Sequence, residues 1–232
     1  MNTDFLFFCL MGGIVSADTE SVGQTMVSQP IVACTAAGAL FGNLPLGATV
    51  GLLLQLPYLV ELPVGGGRVS LGNLGAFVAA GVAAQAHSTF TAYPNAVLLG
   101  SVFWGILLSW IGAPLVSVTR TLNLRLLRLA DAAAERCDLK MLTRLQYAGA
   151  FIALVFGALF SAAGLVVGTF LISRLLQFAP GFLDWLEAVS HLVKPVLLGA
   201  GAGAILWLYV TKSTRRYAAL GAAAGLLLVW LI

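Results

Sequence analysis

Apolar residues run along this chain in long blocks that are separated by short polar segments. A helix needs about 20 mostly apolar residues to cross the hydrocarbon core of a membrane, and several blocks approach or exceed that length. The pattern predicts an all-α integral membrane protein with about six to seven hydrophobic segments, folded as a single domain over residues 1–232. The blocks lie at residues 5–15, 30–62, 71–85, 96–118, 145–176, 196–210 and 217–232.

The segment 24–73 is strongly apolar, yet Gly and Pro interrupt it repeatedly. Block 30–62 is too long for one straight crossing, and Asn43-Leu44-Pro45 divides it into two halves that are each short for a full span. We therefore expect broken or re-entrant helices here. In lipid, irregular backbone is tolerated only where protein or a water-filled cavity satisfies its polar groups, so this segment indicates a translocation pathway rather than an anchor.

The segment 120–144 is the one long polar interruption, and six of its residues are basic. The positive-inside rule places it in the cytoplasm as a loop. Within it, Leu122, Leu126, Leu129 and Ala133 recur at helical spacing, which predicts an amphipathic helix. Two interpretations remain open for that helix: it lies against lipid headgroups, or it docks a soluble cytoplasmic partner.

Three further features concern the arrangement of the helices in the membrane. Lys212, Arg215 and Arg216 form a second basic cluster two crossings after the first, so both clusters fit on one side, and a spanning last block then places the C-terminus outside the cytoplasm. Block 145–176 exceeds a straight crossing, which predicts a tilt or a bend at Gly164 or Gly168. The first block lacks a basic n-region and a clear cleavage site, so we expect a retained first helix.

Composition supports the membrane assignment and limits the chemistry. Hydrophobic residues make up 60% of the chain and charged residues 9%, with a net charge of +3, and no basic patch is interleaved with aromatics. These values exclude an ordinary soluble domain and argue against a nucleic-acid partner. The three cysteines are far apart, and His87 and His191 lack neighbours with metal-site or nucleophile spacing. We expect no catalytic residue, no metal and no cofactor.

Polar residues inside the apolar segment are the candidates for substrate contacts, because burying them is costly. Amide and carboxylate groups bond to sugar hydroxyls, and an aromatic ring three residues from Gln55 can pack on a pyranose. The alternative for Gln29, Asn43 and Asn73 is that they only satisfy backbone groups freed at helix breaks. The predicted substrate-binding residues are Gln24, Gln29, Asn43, Gln55, Tyr58, Glu61 and Asn73.

At these positions the chain resembles the membrane-embedded C component of the mannose, fructose and sorbose class of bacterial phosphotransferase-system permeases. The resemblance is carried by residues 23–65. It consists of a Gly-Gln start, Ser28-Gln29-Pro30, the run Ile31-Val32-Ala33-Cys34-Thr35, the pair Gly42-Asn43, the Gly47 and Gly51 spacing, and Glu61-Leu62-Pro63-Val64-Gly65.

The resemblance implies a sugar-translocating subunit in the bacterial inner membrane. It also implies a hetero-oligomer with a membrane D component, and cytoplasmic A and B components that phosphorylate the sugar. The chain departs from the family pattern at its polar positions. Gln29 stands where the family usually has Arg, Asn43 stands for Asp, Gln55 stands for Glu, and Val69-Ser70-Leu71 replaces a Pro-Pro-Asp or Pro-Pro-Asn turn.

Two alternatives to this transport function are open. One is a membrane scaffold or regulatory homologue that no longer transports sugar but binds a D-like partner or a phosphocarrier. The other is a self-contained secondary transporter, which would normally use buried carboxylates for coupling, whereas Glu61 is the only acid in the segment 24–73.

Overall fold

The computed structural model describes residues 3–59, 70–178 and 180–231. Within those ranges the chain forms nine helices and no strand, which confirms the predicted all-α class. Two of the helices, α5 and α6, are long and apolar enough to cross a membrane. The helices are α1 (Thr3–Glu20), α2 (Pro30–Leu40), α3 (Leu44–Leu59), α4 (Gly72–Thr89), α5 (Pro94–Glu135), α6 (Leu139–Phe178), α7 (Pro180–Ala188), α8 (Ser190–Tyr209) and α9 (Arg215–Leu231).

Helices α2 and α3 form a hairpin whose arms are each too short to cross a membrane. With 11 and 16 residues they extend about 16 and 24 Å, against a hydrocarbon core of about 30 Å. The sequence predicted a break at Asn43-Leu44-Pro45, and the turn lies there. The Asn43 N–H donates to the Gly38 carbonyl (2.7 Å) and the Gly42 N–H donates to the Ala39 carbonyl (3.1 Å). Gly42 has φ +77°, so this is a Schellman cap.

The two arms pack backbone to backbone through glycines. A Cβ on Gly38 would lie 2.7 Å from the Gly47 Cα, and a Cβ on Gly51 would lie 2.7 Å from the Pro30 carbonyl oxygen. No side chain fits at such distances, so glycine lets the two helices approach closely. The Gly and Pro content of this segment thus serves two purposes: it makes the turn, and it brings the arms together.

Helix α4 lies at the centre of the bundle, and every residue from 74 to 84 is buried. It is apolar on all sides and rich in Ala and Gly, as a helix surrounded by others must be. Its first turn lies beside α5, because the Leu71 N–H donates to the Ser109 carbonyl at 3.1 Å. Since Ser109 lies inside the apolar part of α5, α4 begins within the membrane with its backbone satisfied by protein.

Helix α1 packs antiparallel to α6. Cβ atoms added at Gly12 and Gly157 would strike Ser161 and Ser16, respectively. Because α6 begins at the basic segment 120–144, α1 ends on that side of the bundle, here termed the basic end. Phe8, in the first turns of α1, stacks on Phe77 with ring centroids 4.4 Å apart.

A contact of Phe41 shows which end of the bundle the α2–α3 turn faces. Phe41 lies in this turn, and its ring contacts the ring of Phe8 with centroids 5.5 Å apart. Phe8 lies toward the end of the bundle opposite the basic end. The α2–α3 hairpin therefore enters the bundle from the basic end and turns back without leaving it, as a re-entrant hairpin does. This is the arrangement that the interrupted apolar segment predicted.

Residues 120–144, which were predicted to be a loop that contains an amphipathic helix, are helical except for one short turn. Helix α5 continues to Glu135, α6 starts at Leu139, and a three-residue turn connects them. With 42 and 40 residues, the two helices extend about 63 and 60 Å, roughly twice the hydrocarbon thickness. The amphipathic pattern is the end of α5 and not a separate interfacial helix. A charged, leucine-rich sequence leaves the membrane without ending the helix, since neither Gly nor Pro interrupts it.

Helix α6 runs without a break through Gly164 and Gly168, where a bend or tilt was predicted. Trp104 of α5 occupies the space that these residues leave open. Its Nε1–H donates to the Gly164 carbonyl at 3.0 Å, and a Cβ on Gly168 would strike its ring. The outer faces of α5 and α6 carry large exposed apolar side chains such as Phe103, Trp110 and Leu159, as helices facing lipid do.

The short helix α7 was not predicted from the sequence. It caps the start of α5 through Glu187, whose carboxylate accepts the backbone N–H groups of Asn95 (2.8 Å) and Ala96 (2.9 Å) and the side-chain amide of Asn95 (2.8 Å). Beside it, the Tyr93 hydroxyl donates to the Asp184 carboxylate at 3.2 Å, and this bond raises the pKa of the phenol. Unsatisfied N–H groups at a helix start favour such acids.

Candidate functional site

A cavity of about 610 Å³ lies between the ends of α1 and α3, the start of α4 and the middle of α5. Its volume falls within the range of about 300–1,000 Å³ that small-molecule sites occupy. It reaches the level of Arg120 and therefore lies toward the basic end. Four of the seven predicted site residues line it, namely Gln24, Gln29, Tyr58 and Asn73.

Gln24 and Gln29 come from the loop that connects α1 to α2. Gln29 is the N-cap residue of α2, with extended backbone, and it makes no side-chain cap bond. Its side chain is therefore available for another partner, and it accepts a hydrogen bond from Gln55 Nε2 at 2.8 Å. The loop thus presents two amides to one wall of the cavity.

Gln55 lies behind this wall and not in it. Its Oε1 accepts the Ile31 N–H at 3.0 Å, while its amide donates to Gln29. The first turn of a helix leaves N–H groups unsatisfied, and Gln55 of α3 satisfies one of them for α2. Gln55 therefore ties the two arms of the hairpin together and orients Gln29. Its predicted direct contact with substrate stays a prediction.

Tyr58 and Asn73 form the wall at the junction of α3 and α4. The Tyr58 hydroxyl donates to Ser109 Oγ at 3.1 Å, which holds the end of α3 against α5. The Tyr58 ring lies directly on Gly72, where an added Cβ would clash with the ring carbons, at 2.7 Å from both Cγ and Cε1. Because Gly72 has no side chain, the aromatic face can lie beside the cavity next to Asn73.

The opposite wall is formed by α1, α5 and α6, and the sequence did not reveal it. It contributes the hydroxyls of Ser16, Thr19 and Thr119, the Arg120 side chain and the Asn123 amide. Thr19 and Thr119 donate to carbonyls of their own helices. Ser16 Oγ is buried and has no hydrogen-bond partner.

Besides Gln55, one other described residue of the predicted site, Asn43, does not line the cavity. Asn43 lies in the turn of the re-entrant hairpin, where its Oδ1 accepts the Leu46 N–H at 3.2 Å and caps α3. This bond corresponds to the alternative in which Asn43 satisfies backbone groups at a helix break. Glu61 lies outside the described residues.

The described lining mixes polar groups with apolar side chains, among them Leu59, Leu71 and Val116, and it has no acidic group. It combines amides, hydroxyls, one guanidinium and one aromatic ring, and it contains no carboxylate. Amides both donate and accept, as sugar hydroxyls do, so each amide can bond to one or two hydroxyls. No cluster of His, Cys, Asp and Glu suited to a metal ion occurs in the described part of the chain.

Comparison with known proteins identifies the family. The model of the EII-Sor family, described as the sorbose-specific IIC component of the phosphotransferase system, matches residues 3–229. The chain belongs to this family. It is therefore a IIC-type membrane component of a phosphotransferase-system sugar permease. The resemblance noted over residues 23–65 thus extends over almost the entire IIC chain.

A solved structure supports the fold of this IIC-family chain. A chain titled "Structure of membrane protein" matches it with a TM-score of 0.73 and 15% sequence identity, covering 97% of this chain and 87% of that one. At this identity the likeness concerns the fold alone. A comparison with curated protein sequences gives no significant match.

Proposed function

We propose that this chain forms the sugar pathway of a mannose-type phosphotransferase permease in the bacterial inner membrane, as a multi-pass subunit of a hetero-oligomer. It works with a D component in the membrane, while cytoplasmic A and B components phosphorylate the sugar. The basic end faces the cytoplasm, because Arg and Lys are enriched on that side of membrane proteins. The cavity then lies on the side where the phosphocarriers act.

The observation that carries this proposal is the cavity at the root of the re-entrant hairpin. Gln24, Gln29 and Asn73 supply amides, Tyr58 supplies an aromatic face, and the wall from α1 and α5 adds hydroxyls. A neutral polyhydroxylated ring matches this set, because it presents hydroxyls at its edge and C–H groups on its faces. Glu61 remains part of the proposed site as a sequence prediction.

Three positions at which the family usually carries charge have amides here, namely Gln29, Asn43 and Gln55, and two of these amides are bonded to each other. Gln29 and Gln55 bond to each other at 2.8 Å, where family members would have Arg and Glu. We infer that an amide pair replaces an ion pair at the base of the hairpin. The architecture is kept, since an amide can donate and accept at the same time, although uncharged bonds are weaker than charge-assisted ones.

The test is sugar uptake by cells that make this chain with a D component and the general phosphotransferase proteins but lack other mannose-type permeases. Uptake of at least one hexose or amino sugar is expected. Asn73→Ala and Gln29→Ala should each raise KM about tenfold, the effect of one lost hydrogen bond. Ser88→Ala, an exposed residue at the other end of α4, is the matched control and should leave KM unchanged.

Three other results would contradict the proposal in different ways. An unchanged KM in both cavity variants would exclude the cavity as the binding site. Absence of uptake with every sugar, together with a stable complex with the D component, would support the scaffold function. Uptake by the purified chain alone, driven by a proton or sodium gradient, would support a secondary transporter.

A further inference from the structure

Asp18 is a buried acid on α1, close to the point where the helix ends. Its side chain is 6% exposed and accepts three hydrogen bonds. Oδ1 takes the backbone N–H of Thr25 at 2.7 Å and the hydroxyl of Thr25 at 2.8 Å, while Oδ2 takes the Ser28 N–H at 2.9 Å. Both oxygens are thus bound to the loop between α1 and α2.

This loop has a backbone conformation that local preferences do not favour. Gln24 has φ +48° and Met26 has φ +66°, on either side of Thr25. The left-handed region is unfavourable for residues with a Cβ and persists only where the surroundings hold it. Apolar packing does not do so here, because Val22, Met26 and Val27 are all exposed. The bonds to Asp18 supply the missing constraint.

Each bond to Asp18 is next to a glutamine that lines the cavity. Thr25 follows Gln24, and Ser28 precedes Gln29. Asp18 itself is not among the residues that line the cavity. A change at Asp18 therefore reaches a ligand through the positions of these two amides and not by direct contact.

We propose that Asp18 is a positioning residue of the permease: its carboxylate holds the loop 21–29 in the strained conformation that presents Gln24 and Gln29 to the sugar. This inference rests on the proposed function. Its structural part, the tie between Asp18 and the loop, is tested without transport. A carboxylate suits the task because its two oxygens accept several N–H and O–H donors at once.

Asp18→Asn is the first variant, because it keeps the size of the side chain. The Asn amide nitrogen cannot accept the Ser28 N–H, so the loop loses at least one of its ties. KM for the transported sugar should rise about five- to tenfold, the effect of losing one ordinary hydrogen bond between the sugar and a displaced amide, with Vmax changed less than twofold. Asp4→Asn, an exposed acid on the same helix, is the matched control and should leave both parameters unchanged.

A second variant covers the case in which Asp18→Asn fails to fold. Thr25→Val removes the hydroxyl donor and keeps the backbone N–H, so KM should rise in the same direction by a smaller factor. In a Gln24→Ala/Gln29→Ala background, Asp18→Asn should have no further effect on KM. If Asp18→Asn raised KM in that background by the same factor as in the wild-type chain, Asp18 would not act through Gln24 and Gln29, and the proposal would be overturned.

The tie itself is measured with a nitroxide spin label. Met26→Cys places the label on the exposed loop, in a chain whose cysteines at positions 9, 34 and 137 are replaced by Ser or Ala. Asp18→Asn should increase the mobility of the label, and Asp4→Asn should not. If no sugar is taken up, the proposed function fails while the label still reports on the tie. Unchanged mobility, or increased mobility with an unchanged KM in a transporting chain, would overturn the positioning role.

Discussion

At the scale of single residues, the geometry of the site depends on a glycine as much as on polar side chains. Tyr58 lies beside the cavity because Gly72 leaves room for its ring, and it is held there by its bond to Ser109. Tyr58 belonged to the predicted site, but the role of Gly72 follows only from the contact between α3 and α4. The sequence shows only that a glycine is the first residue of α4, and it does not show that Tyr58 packs on this glycine.

This contact makes a prediction about Gly72→Ala. The added methyl group would lie 2.7 Å from the Tyr58 Cγ, so the ring must leave its place and the bond to Ser109 is lost. Uptake should fall about tenfold, which corresponds to about 1.4 kcal/mol of binding. The measurement is the initial rate of sugar uptake. Gly199→Ala on α8, where no atom lies within 4 Å of the added Cβ, should have little effect.

A double variant separates displacement of Tyr58 from a general defect. If Gly72→Ala acts through the ring, then Gly72→Ala/Tyr58→Ala should transport no worse than Tyr58→Ala alone. If the double variant lost uptake by the product of the two single-variant factors, Gly72 would be needed for a reason other than the position of Tyr58.

At the scale of helices, two turns of the chain are built in the same way from different residues. The Schellman cap of α2 has Gly42 in the left-handed position. At the end of α5 the same pair of bonds recurs: the Asp138 N–H donates to the Ala133 carbonyl and the Cys137 N–H donates to the Ala134 carbonyl, both at 2.9 Å. There Cys137, with φ +52°, occupies the position that glycine favours.

Cys137→Gly should therefore stabilise the α5–α6 turn. Relief of the left-handed strain is worth about 1–2 kcal/mol, and the greater freedom of glycine in the unfolded chain offsets about 0.5–1 kcal/mol of it. A net gain of up to about 1.5 kcal/mol should appear as a higher Tm of the protein in detergent. Ala134→Gly, at a helical position one turn earlier, should lower Tm instead. A lower Tm for Cys137→Gly would contradict this account of the turn.

At the scale of the whole molecule, the two ends of the bundle are closed differently. At the basic end, α5 and α6 extend beyond the membrane as a helical hairpin. At the other end, α7 lies on the start of α5, and the carboxylate of Glu187 accepts backbone N–H groups from the first turn of α5. A charge-assisted cap from a separate helix joins the last quarter of the chain to the central helices.

Removal of this cap should loosen the opposite end without affecting the cavity. Glu187→Gln keeps two acceptor sites on one oxygen but places an amide against the Asn95 side chain. We expect a loss of about 1.5–3 kcal/mol, the usual value of hydrogen bonds to a charged group. The loss should be seen as a lower Tm, while KM for the sugar stays unchanged. Glu135→Gln, an exposed acid at the end of α5 near the basic turn, is the control, and an equal Tm for both variants would contradict the role of Glu187.

The sequence alone determined the class of protein, the positions of most helices and the break in the hairpin. These features depend on local properties: the length of apolar blocks, and Gly42 and Pro45 on either side of the break at Asn43-Leu44. Predictions from local sequence were wrong for a short helix and for a helix that continues into a polar segment. Helix α7, with nine residues, is too short to form an apolar block, and α5 continues past Arg120 because a polar helix remains a helix outside the membrane.

Only the tertiary structure decided which polar residues share a site. Gln24, Gln29, Tyr58 and Asn73 meet at one cavity, whereas Asn43 caps a helix and Gln55 supports Gln29 from behind. The wall from α1 and α5 adds Ser16 and Asn123, which lie in no recognisable motif. Their proximity depends on how helices cross, and the crossings are set by contacts between residues far apart in the chain, such as Ser16 with Gly157, which no local pattern encodes.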